Sequence, residues 1–263
     1  MRTLRDCVYG QAVGDALGVP FEFRSRGDFL CTGMVGHGTH NKPAGTWSDD
    51  TSMALATCDS IRERGCIDCA DMRGRFVDWA QDGAYTVDGL FDIGRTTAVA
   101  LARGEGLSGE RDNGNGSLMR IAPLAFTQAT DEEVRAVSAI THAHATSTES
   151  CVQAVHFARL LAAGRDAHEA AGEVWGRDMA AAARDDVRSS GYVLDTLQAS
   201  VWCLLTTESY AQCVLAAVNL GSDTDTTAAV AGAFAGIVYG REGIPAEWLE
   251  TLRGVDIIER CLF

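Results

Sequence analysis

The sequence predicts an all-α protein built as one compact domain over residues 1–263. Apolar residues recur at helical spacing along most of the chain. Many of these segments are rich in alanine, the residue with the highest helix propensity. The chain has no useful run of alternating β-branched residues, and no proline- or serine-rich linker or fixed-period repeat divides it.

The first predicted helix covers residues 2–17, where Val8, Ala12 and Ala16 lie on one apolar stripe. The second, 51–64, follows an Asp/Thr cap and ends at Gly65. Between them, the glycine-rich stretch 21–46 has no regular pattern and is predicted to be a long functional loop. The further segments predicted to be helical are 70–81, 93–103, 117–126, 131–140, 147–163, 166–184, 195–206, 208–220, 225–239 and 246–252.

The charge balance excludes several classes of partner. Lys and Arg number 22 against 36 Asp and Glu, a net charge of −14. General binding to nucleic acids or anionic membranes needs clustered positive charge, so we expect neither. No secretory segment is visible, and the longest apolar stretch, 228–239, is too short to span a bilayer. The odd count of nine cysteines favours a reducing cytoplasm, with Cys66 and Cys69 as ordinary thiols.

Two acidic clusters stand out as candidates for chemistry. Ser48, Asp49 and Asp50 precede one predicted helix, and residues 221–227 lie between two strongly apolar helices. Helix capping accounts for one Asp in each cluster. Two adjacent carboxylates repel each other, and a divalent cation would compensate that charge. Oxygen ligands favour Mg²⁺, Mn²⁺ or Ca²⁺, and the clusters together suffice for two metals. Capping and metal binding both stay open on spacing alone.

Seven blocks, in order, resemble the ADP-ribosylglycohydrolase family. They are Gly10-Gln11-Ala12-Val13-Gly14-Asp15-Ala16-Leu17-Gly18, Glu22-Phe23, Ser48-Asp49-Asp50-Thr51, Asp92-Ile93-Gly94, Asn113-Gly114-Asn115-Gly116-Ser117-Leu118-Met119-Arg120, Thr141-His142 and 221–226. Each block alone is weak, but the set in this order is specific. The resemblance implies an orthogonal all-α helical domain with two Mg²⁺ (or Mn²⁺) ions at the base of a cleft. The metal ligands it implies are Ser48, Asp49, Asp50, Asp223, Asp225 and Thr226.

The resemblance also implies three catalytic carboxylates, at Glu22, Asp92 and Asp50. Glu22 matches an acidic residue on a mobile loop, although a solvated loop carboxylate is the other interpretation. Asp92 matches a proposed acid/base near the ribose, and its other interpretation is the N-cap of the 93–103 helix.

The substrate-binding residues implied by the resemblance are Asn115, Gly116, Ser117, Met119, His142 and Tyr192. The glycines would bring backbone N–H groups close to a pyrophosphate at the start of a helix whose dipole favours anions. His142 would face the ligand, whereas His144 points elsewhere. Tyr192 suits stacking on adenine, with core packing as the alternative. Trp47 and Trp202 are expected in the core.

Hydrolysis of ADP-ribosylated arginine, with release of ADP-ribose from a modified protein, is the function that the resemblance favours. The Asp92-Ile93-Gly94 and Gly191-Tyr192-Val193 blocks of this sequence are similar to those of the arginine-directed bacterial branch of the family. ADP-ribosyl-serine, O-acetyl-ADP-ribose and nucleic-acid adducts stay open as substrates. A non-catalytic ADP-ribose binder, a pyrophosphate hydrolase and a helical interaction protein are the rival classes.

Overall fold

The computed structural model describes residues 2–263. Within them the backbone forms helices joined by turns and loops, with only isolated β-bridges, so the all-α prediction is confirmed. The helices are α1 (Leu4–Gly18), α2 (Asp49–Arg64), α3 (Cys69–Asp82), α4 (Arg95–Arg103), α5 (Asp131–Ala139), α6 (Ala145–Ala162), α7 (Ala167–Trp175), α8 (Val193–Leu205), α9 (Tyr210–Val218), α10 (Thr224–Tyr239), α11 (Ala246–Thr251) and α12 (Val255–Cys261).

Three segments differ from the predicted helices. The prediction for 166–184 is wrong in its second half, because Gly176 takes the left-handed conformation and ends α7. The prediction of one helix over 117–126 is also wrong. That stretch forms two short 3₁₀ turns, and Pro123, which has no N–H to donate, lies in the second. Helix α12 was not predicted, since its seven residues are too few for a clear periodicity.

Helices α1 and α10 pack against each other at unusually close range. A Cβ on Gly10 would lie 2.2 Å from the Gly232 carbonyl oxygen, and one on Gly14 would lie 2.1 Å from that of Ala228. A Cβ on Gly18 would lie 2.4 Å from the Cα of Asp225. The two helices are therefore antiparallel, and only glycine permits this approach. The packing places the start of α10 beside the end of α1.

The segment between α1 and α2 contains no α-helix. It holds two 3₁₀ turns, Val19–Phe21 and Gly38–His40, and is otherwise irregular, as predicted. Because α1 ends beside the start of α10, this segment emerges next to the first residues of α10. It returns to the same place where Ser48 caps α2. Trp47 and Trp202 are both buried in the core, as predicted.

Candidate active site

A cleft of about 400 Å³ opens where the first turns of α2 and α10 meet. Its walls come from the loop after α1, the start of α4, the glycine-rich turn before residue 118, and the segment before α6. The residues that line it are Glu22, Phe23, Asp49, Asp92, Ile93, Gly94, Arg95, Thr96, Thr97, Arg111, Gly114, Asn115, Gly116, Met119, His142, Gly191, Asp223 and Thr226. Most of the site residues predicted from the sequence therefore line the same cleft.

The two acidic clusters, far apart in sequence, are adjacent in space. The Ser48 hydroxyl donates to Asp50 Oδ2 at 2.9 Å, and the Thr226 hydroxyl donates to the same oxygen at 3.4 Å. Ser48 also caps α2 by accepting from the Asp50 N–H. Capping therefore explains Ser48, but it does not explain why four carboxylates converge here.

Asp223 and Asp225 do not behave as helix caps. Asp223 occupies the N-cap position of α10, yet its carboxylate makes no capping hydrogen bond. One of its oxygens accepts from Asn115 Nδ2 at 2.9 Å, and the other, Oδ1, has no partner. Oδ2 of Asp225 and Oδ1 of Asp50 are likewise buried without partners among the described residues. Buried, unpartnered carboxylate oxygens are costly unless a cation binds them.

Asp15 is a member of this cluster that the sequence reasoning did not assign. Its carboxylate is fully buried and accepts from the Ser48 N–H, the Thr51 N–H and the Thr51 hydroxyl. It thereby fixes the turn that presents Asp49 and Asp50. The available signal was a lone carboxylate inside the apolar stretch of α1.

The carboxylates form two groups with the spacing of metal ligands. In one, oxygens of Asp15, Asp50 and Asp225 lie within 4.8 Å of one another; in the other, oxygens of Glu22, Asp223 and Asp225 do. Asp49 belongs to neither group but faces the cleft. The unpartnered oxygens, the hydroxyls and the all-oxygen donor set fit hard divalent cations such as Mg²⁺ or Mn²⁺.

The electrostatics of these carboxylates also favours a bound divalent cation. Burial raises the pKa of Asp49, Asp50 and Asp225 well above that of a free aspartate, and their negative neighbours raise it further. Without a cation, these side chains resist ionisation together. A bound divalent cation would reverse that effect by stabilising the charged forms.

Glu22 and Asp92, which both line the cleft, meet His40 there. The three side chains offer ligand atoms within 4.8 Å of one another, and His40 Nε2 hydrogen-bonds Glu22 Oε2. Burial raises the pKa of Glu22 to about 7. Asp92 adopts a left-handed backbone (φ 53°), and α4 begins only after Gly94, so Asp92 does not cap that helix. His40 carried no sequence signal that distinguished it from other loop histidines.

The glycine-rich turn forms the opposite wall. Gly114 and Gly116 lie against the His142 ring, and a Cβ on Gly116 would come within 2.8 Å of His142 Cε1. Met119 also lines the cleft. The expected helix N-terminus is wrong here, because the turn leads into the three-residue 3₁₀ turn Leu118–Arg120. Any anion bound here would therefore meet backbone N–H groups without a helix dipole behind them.

Two predicted binding residues lie away from the cleft floor. The Ser117 hydroxyl is fully buried, accepts from Ser138 and lies 3.5 Å from Cys151 Sγ. Only its backbone remains near the cleft. Tyr192 is 42% exposed at the start of α8, beside the lining residue Gly191. Stacking by Tyr192 stays a prediction. His144 instead caps α6, accepting from the Thr146 N–H.

Comparison with known proteins decides the family. The sequence model described as ADP-ribosylglycohydrolase matches residues 2–262. The chain belongs to the ADP-ribosylglycohydrolase family. An ADP-ribosylarginine hydrolase, Tri1, from Pseudomonas putida (strain GB-1) is 36% identical, covering 97% of this chain and 76% of the relative. An ADP-ribosyl-[dinitrogen reductase] glycohydrolase from Rhodospirillum rubrum is 33% identical, covering 92% and 87%.

A solved structure gives the same fold. It is titled "ADP-ribosylglycohydrolase-related protein complex", with a TM-score of 0.85 and 28% identity over 98% of this chain and 95% of the other. The resemblance inferred from the motifs and the expectation of a glycohydrolase enzyme are thus confirmed. Across residues 2–263, none of the helices has the length and apolar character needed to cross a bilayer.

Two basic residues in the glycohydrolase cleft were not predicted from the sequence. Arg95 and Arg111 line it together with the carboxylates. Arg95 is paired with Asp112 at 2.7 Å, whereas the exposed Arg111 makes no ion pair or side-chain hydrogen bond among the described residues. A single arginine carries no sequence pattern, so the position of Arg95 and Arg111 in the cleft became visible only in the structure.

A second, larger groove of about 520 Å³ lies elsewhere on the glycohydrolase. Ile61, Cys66, Ile67, Phe126 and Phe263 contribute to its largely apolar lining. It contains none of the predicted site residues, and among the described residues Glu133 is the one acidic side chain in its lining. Size alone would favour this groove, but convergent polar groups favour the acidic cleft.

Proposed function

We propose that this protein is a metal-dependent hydrolase of the N-glycosidic bond in ADP-ribosylated arginine, releasing ADP-ribose from a modified protein. The observation that carries the proposal is the convergence of Asp50, Asp223 and Asp225 beside the cleft, each with a buried oxygen that has no partner among the described residues. Asp223 lines the cleft itself, and Asp50 and Asp225 are fully buried next to it. The relatives named as ADP-ribosylarginine hydrolases, at 36% and 33% identity, support the choice of arginine.

The acceptor choice also has an electrostatic argument. An arginine guanidinium is cationic, whereas a serine hydroxyl is neutral. Glu22 and Asp92 lie together in the lining of a cleft in a chain of net charge −14. Such a site attracts a cationic leaving group. Serine, O-acetyl-ADP-ribose and nucleic-acid adducts lack this favourable pairing, and they remain the alternatives that the assay below distinguishes.

The proposed ligands for two Mg²⁺ or Mn²⁺ ions are Ser48, Asp49, Asp50, Asp223, Asp225 and Thr226. Such ions, when bound, hold sugar hydroxyls and lower the pKa of water. Asp15 positions the Ser48–Thr51 turn through three accepted hydrogen bonds. Asn115 orients Asp223 through its amide.

Glu22 is the proposed proton-transfer group. Hydrolysis adds a hydroxyl to the ribose C1″ carbon and a proton to the departing guanidine nitrogen, through an oxocarbenium-like transition state. In the metal-free protein the Glu22 carboxyl, with a pKa of about 7, is present in both protonation states near neutral pH, as a general acid or base requires. His40 holds Glu22 through its Nε2. Asp92, beside Glu22, is the alternative proton carrier.

The remaining wall would bind the rest of ADP-ribose. Backbone groups of Asn115, Gly116 and Ser117 face the pyrophosphate in this proposal, with Met119 and His142 against the ribose. The positive charges of Arg95 and Arg111 offset the acidic floor for an anionic ligand. Tyr192, exposed next to the lining residue Gly191, is the proposed stacking partner of adenine.

A release assay tests the proposal. ADP-ribosyl-arginine and ADP-ribosyl-serine peptides are incubated with Mg²⁺, with Mn²⁺ or with chelator, and the products are resolved by mass spectrometry. We expect metal-dependent release of intact ADP-ribose from the arginine peptide. Release from serine alone would overturn the acceptor, and release of AMP would indicate pyrophosphate cleavage. Binding without release would indicate a reader.

A matched pair of variants ties release to the metal centre. Asp225→Asn removes one buried carboxylate from the first turn of α10, and Asp256→Asn removes an exposed carboxylate from the first turn of α12. We expect the first to lose Mg²⁺ binding and at least about 10³-fold in kcat/KM, a loss of several kcal/mol. The second should retain both. Full activity of Asp225→Asn in chelator would refute the metal mechanism.

A further inference from the structure

His142 is engaged at only one of its two ring nitrogens. Its Nδ1 lies 2.8 Å from the Thr141 hydroxyl oxygen. Its Nε2 makes no hydrogen bond within residues 2–263, although the ring lines the cleft. Gly114 and Gly116 pack against the same edge of the ring, so Nε2 faces the glycine-rich turn. Which nitrogen carries the proton decides whether His142 donates to a ligand or accepts from it.

Arg120 settles the direction of the Thr141 hydrogen bond. This guanidinium is fully buried, and its Nη2 donates to the Thr141 hydroxyl oxygen at 2.9 Å and to the Val137 carbonyl at 3.2 Å. Arginine can only donate, so Thr141 accepts from it. The buried Thr141 hydrogen still needs an acceptor, and among the described residues His142 Nδ1 lies within hydrogen-bond distance. An unprotonated Nδ1 therefore satisfies both groups.

We propose that Arg120 and Thr141 are positioning residues that hold His142 as the neutral tautomer with its proton on Nε2, a fixed donor to a ligand oxygen. The ligand, ADP-ribose, rests on the proposed function; the tautomer does not. In the opposite tautomer both Arg120 and His142 would donate to the Thr141 hydroxyl oxygen, and the buried Thr141 hydrogen would lose its acceptor.

The charged form of His142 is also excluded. Burial and the nearby Arg120 guanidinium lower the pKa of His142 to about 3. The ring is therefore neutral near neutral pH, and its N–H donor is present without a protonation event. Among the described residues, Arg120 also donates to the Gly116 carbonyl, so one side chain connects the glycine-rich turn to the histidine facing it.

The test is nitrogen NMR of the full-length, Mg²⁺-loaded protein with ¹⁵N-labelled histidine rings. The sequence has 6 histidines, and His142→Asn identifies the signals of His142. We expect a pyridine-type Nδ1 and a protonated Nε2 in the unsubstituted protein without ligand. Thr141→Val, which removes the hydroxyl, should give a mixture of tautomers and weaken ADP-ribose binding about tenfold, the size of one hydrogen bond. Thr141→Ser should restore the single tautomer.

The outcomes separate this inference from the proposed function. A protonated Nδ1 in the unsubstituted protein overturns the inference, and this spectrum needs no variant to fold. An unchanged tautomer in Thr141→Val also overturns it. Failure of the protein to release or bind ADP-ribose would overturn the proposed function instead, and the ligand-free tautomer would still be read independently.

Discussion

Glu22 combines burial, a hydrogen bond to His40 and a position beside the acidic floor. These properties distinguish it from Asp92, which is more exposed and has no hydrogen bond from a described residue. We expect Glu22→Gln to lower kcat by about 10²–10⁴-fold, the usual contribution of a general acid or base. ADP-ribose affinity and Mg²⁺ affinity should stay near those of the parent protein.

Asp92→Asn is the matched variant for that measurement. Steady-state kinetics on an ADP-ribosyl-arginine peptide, with calorimetric titration of Mg²⁺, should show the larger loss of kcat in Glu22→Gln. The reverse order would assign the proton transfer to Asp92. Loss of Mg²⁺ affinity in Glu22→Gln would make Glu22 a metal ligand, consistent with its spacing from Asp223 and Asp225.

Arg111 is an unpaired positive charge, among the described residues, at the edge of a strongly acidic cleft. An anionic pyrophosphate would provide the partner that those residues do not. We expect Arg111→Ala to weaken ADP-ribose binding about tenfold at low salt, as for one hydrogen bond to a charged group. The difference should shrink at high salt because exposed charges are screened. Arg103→Ala, on the exposed end of α4 outside the cleft, should leave the affinity unchanged in the same titrations.

At the scale of elements, the α1–α10 contact determines where the metal-binding carboxylates lie. Gly14→Ala would place a methyl group 2.1 Å from the Ala228 carbonyl oxygen, and both atoms are fixed by helix backbone. The helices must separate to accept it. We expect a loss of at least about 3 kcal/mol in the free energy of unfolding, at or above the usual range for an overpacked core.

Gly74→Ala provides the control for that substitution. Gly74 also lies within a helix, α3, but no described atom outside the helix backbone comes within 4 Å of where its methyl group would lie. The higher helix propensity of alanine should therefore stabilise the protein by about 0.5–1 kcal/mol. Urea unfolding monitored by circular dichroism gives both values. Equal effects in the two variants would show that α1 and α10 tolerate separation.

Helices with a clear apolar period were predictable from sequence to within a few residues at each end. Helix α3, with Met72, Phe76 and Trp79 buried on one face, is an example. The error at 166–184 had a physical cause, since alanine-rich composition indicates helix propensity but does not show that Gly176 ends the helix. The close glycine contacts of α1 and α10 depend on which helices pair, and periodicity does not contain that information.

On the scale of the molecule, the acidic clusters were recognisable because carboxylates interrupt apolar sequence. Asp50 and Asp225 have no exposed surface, and burying an unpaired charge is costly. A carboxylate next to an apolar segment of the sequence therefore indicates a functional role. His40, Arg95 and Arg111 were not recognisable, because single residues outside any motif acquire a role only through the fold. The motif order in the chain showed the family, but distances between side chains required the structure.

The buried carboxylates also make the stability of the whole molecule depend on metal and pH. Their pKa values in the folded, metal-free protein are raised by burial and mutual repulsion. A group with a raised folded pKa contributes stability that is fully present below its unfolded pKa, about 4 for aspartate, and is lost as pH rises through the folded pKa. Groups with lowered pKa values, such as Asp6 and Asp68, lose their contribution only at lower pH.

We therefore expect the chelated protein to become less stable between about pH 5 and pH 8, the window above the free aspartate pKa. One pKa unit corresponds to about 1.4 kcal/mol, and 1 kcal/mol shifts the Tm of a chain this size by about 2–4 °C, so the fall in Tm should be measurable. Added Mg²⁺ should restore the Tm most at the upper pH, where the carboxylates bind it ionised. Scanning calorimetry with chelator and with Mg²⁺ measures both. Asp225→Asn should reduce the pH dependence, whereas Asp256→Asn should keep it. A chelated protein with a constant or rising Tm over this window would show that the buried carboxylates are neutralised within the protein itself, and would remove the physical argument for a cation at this site.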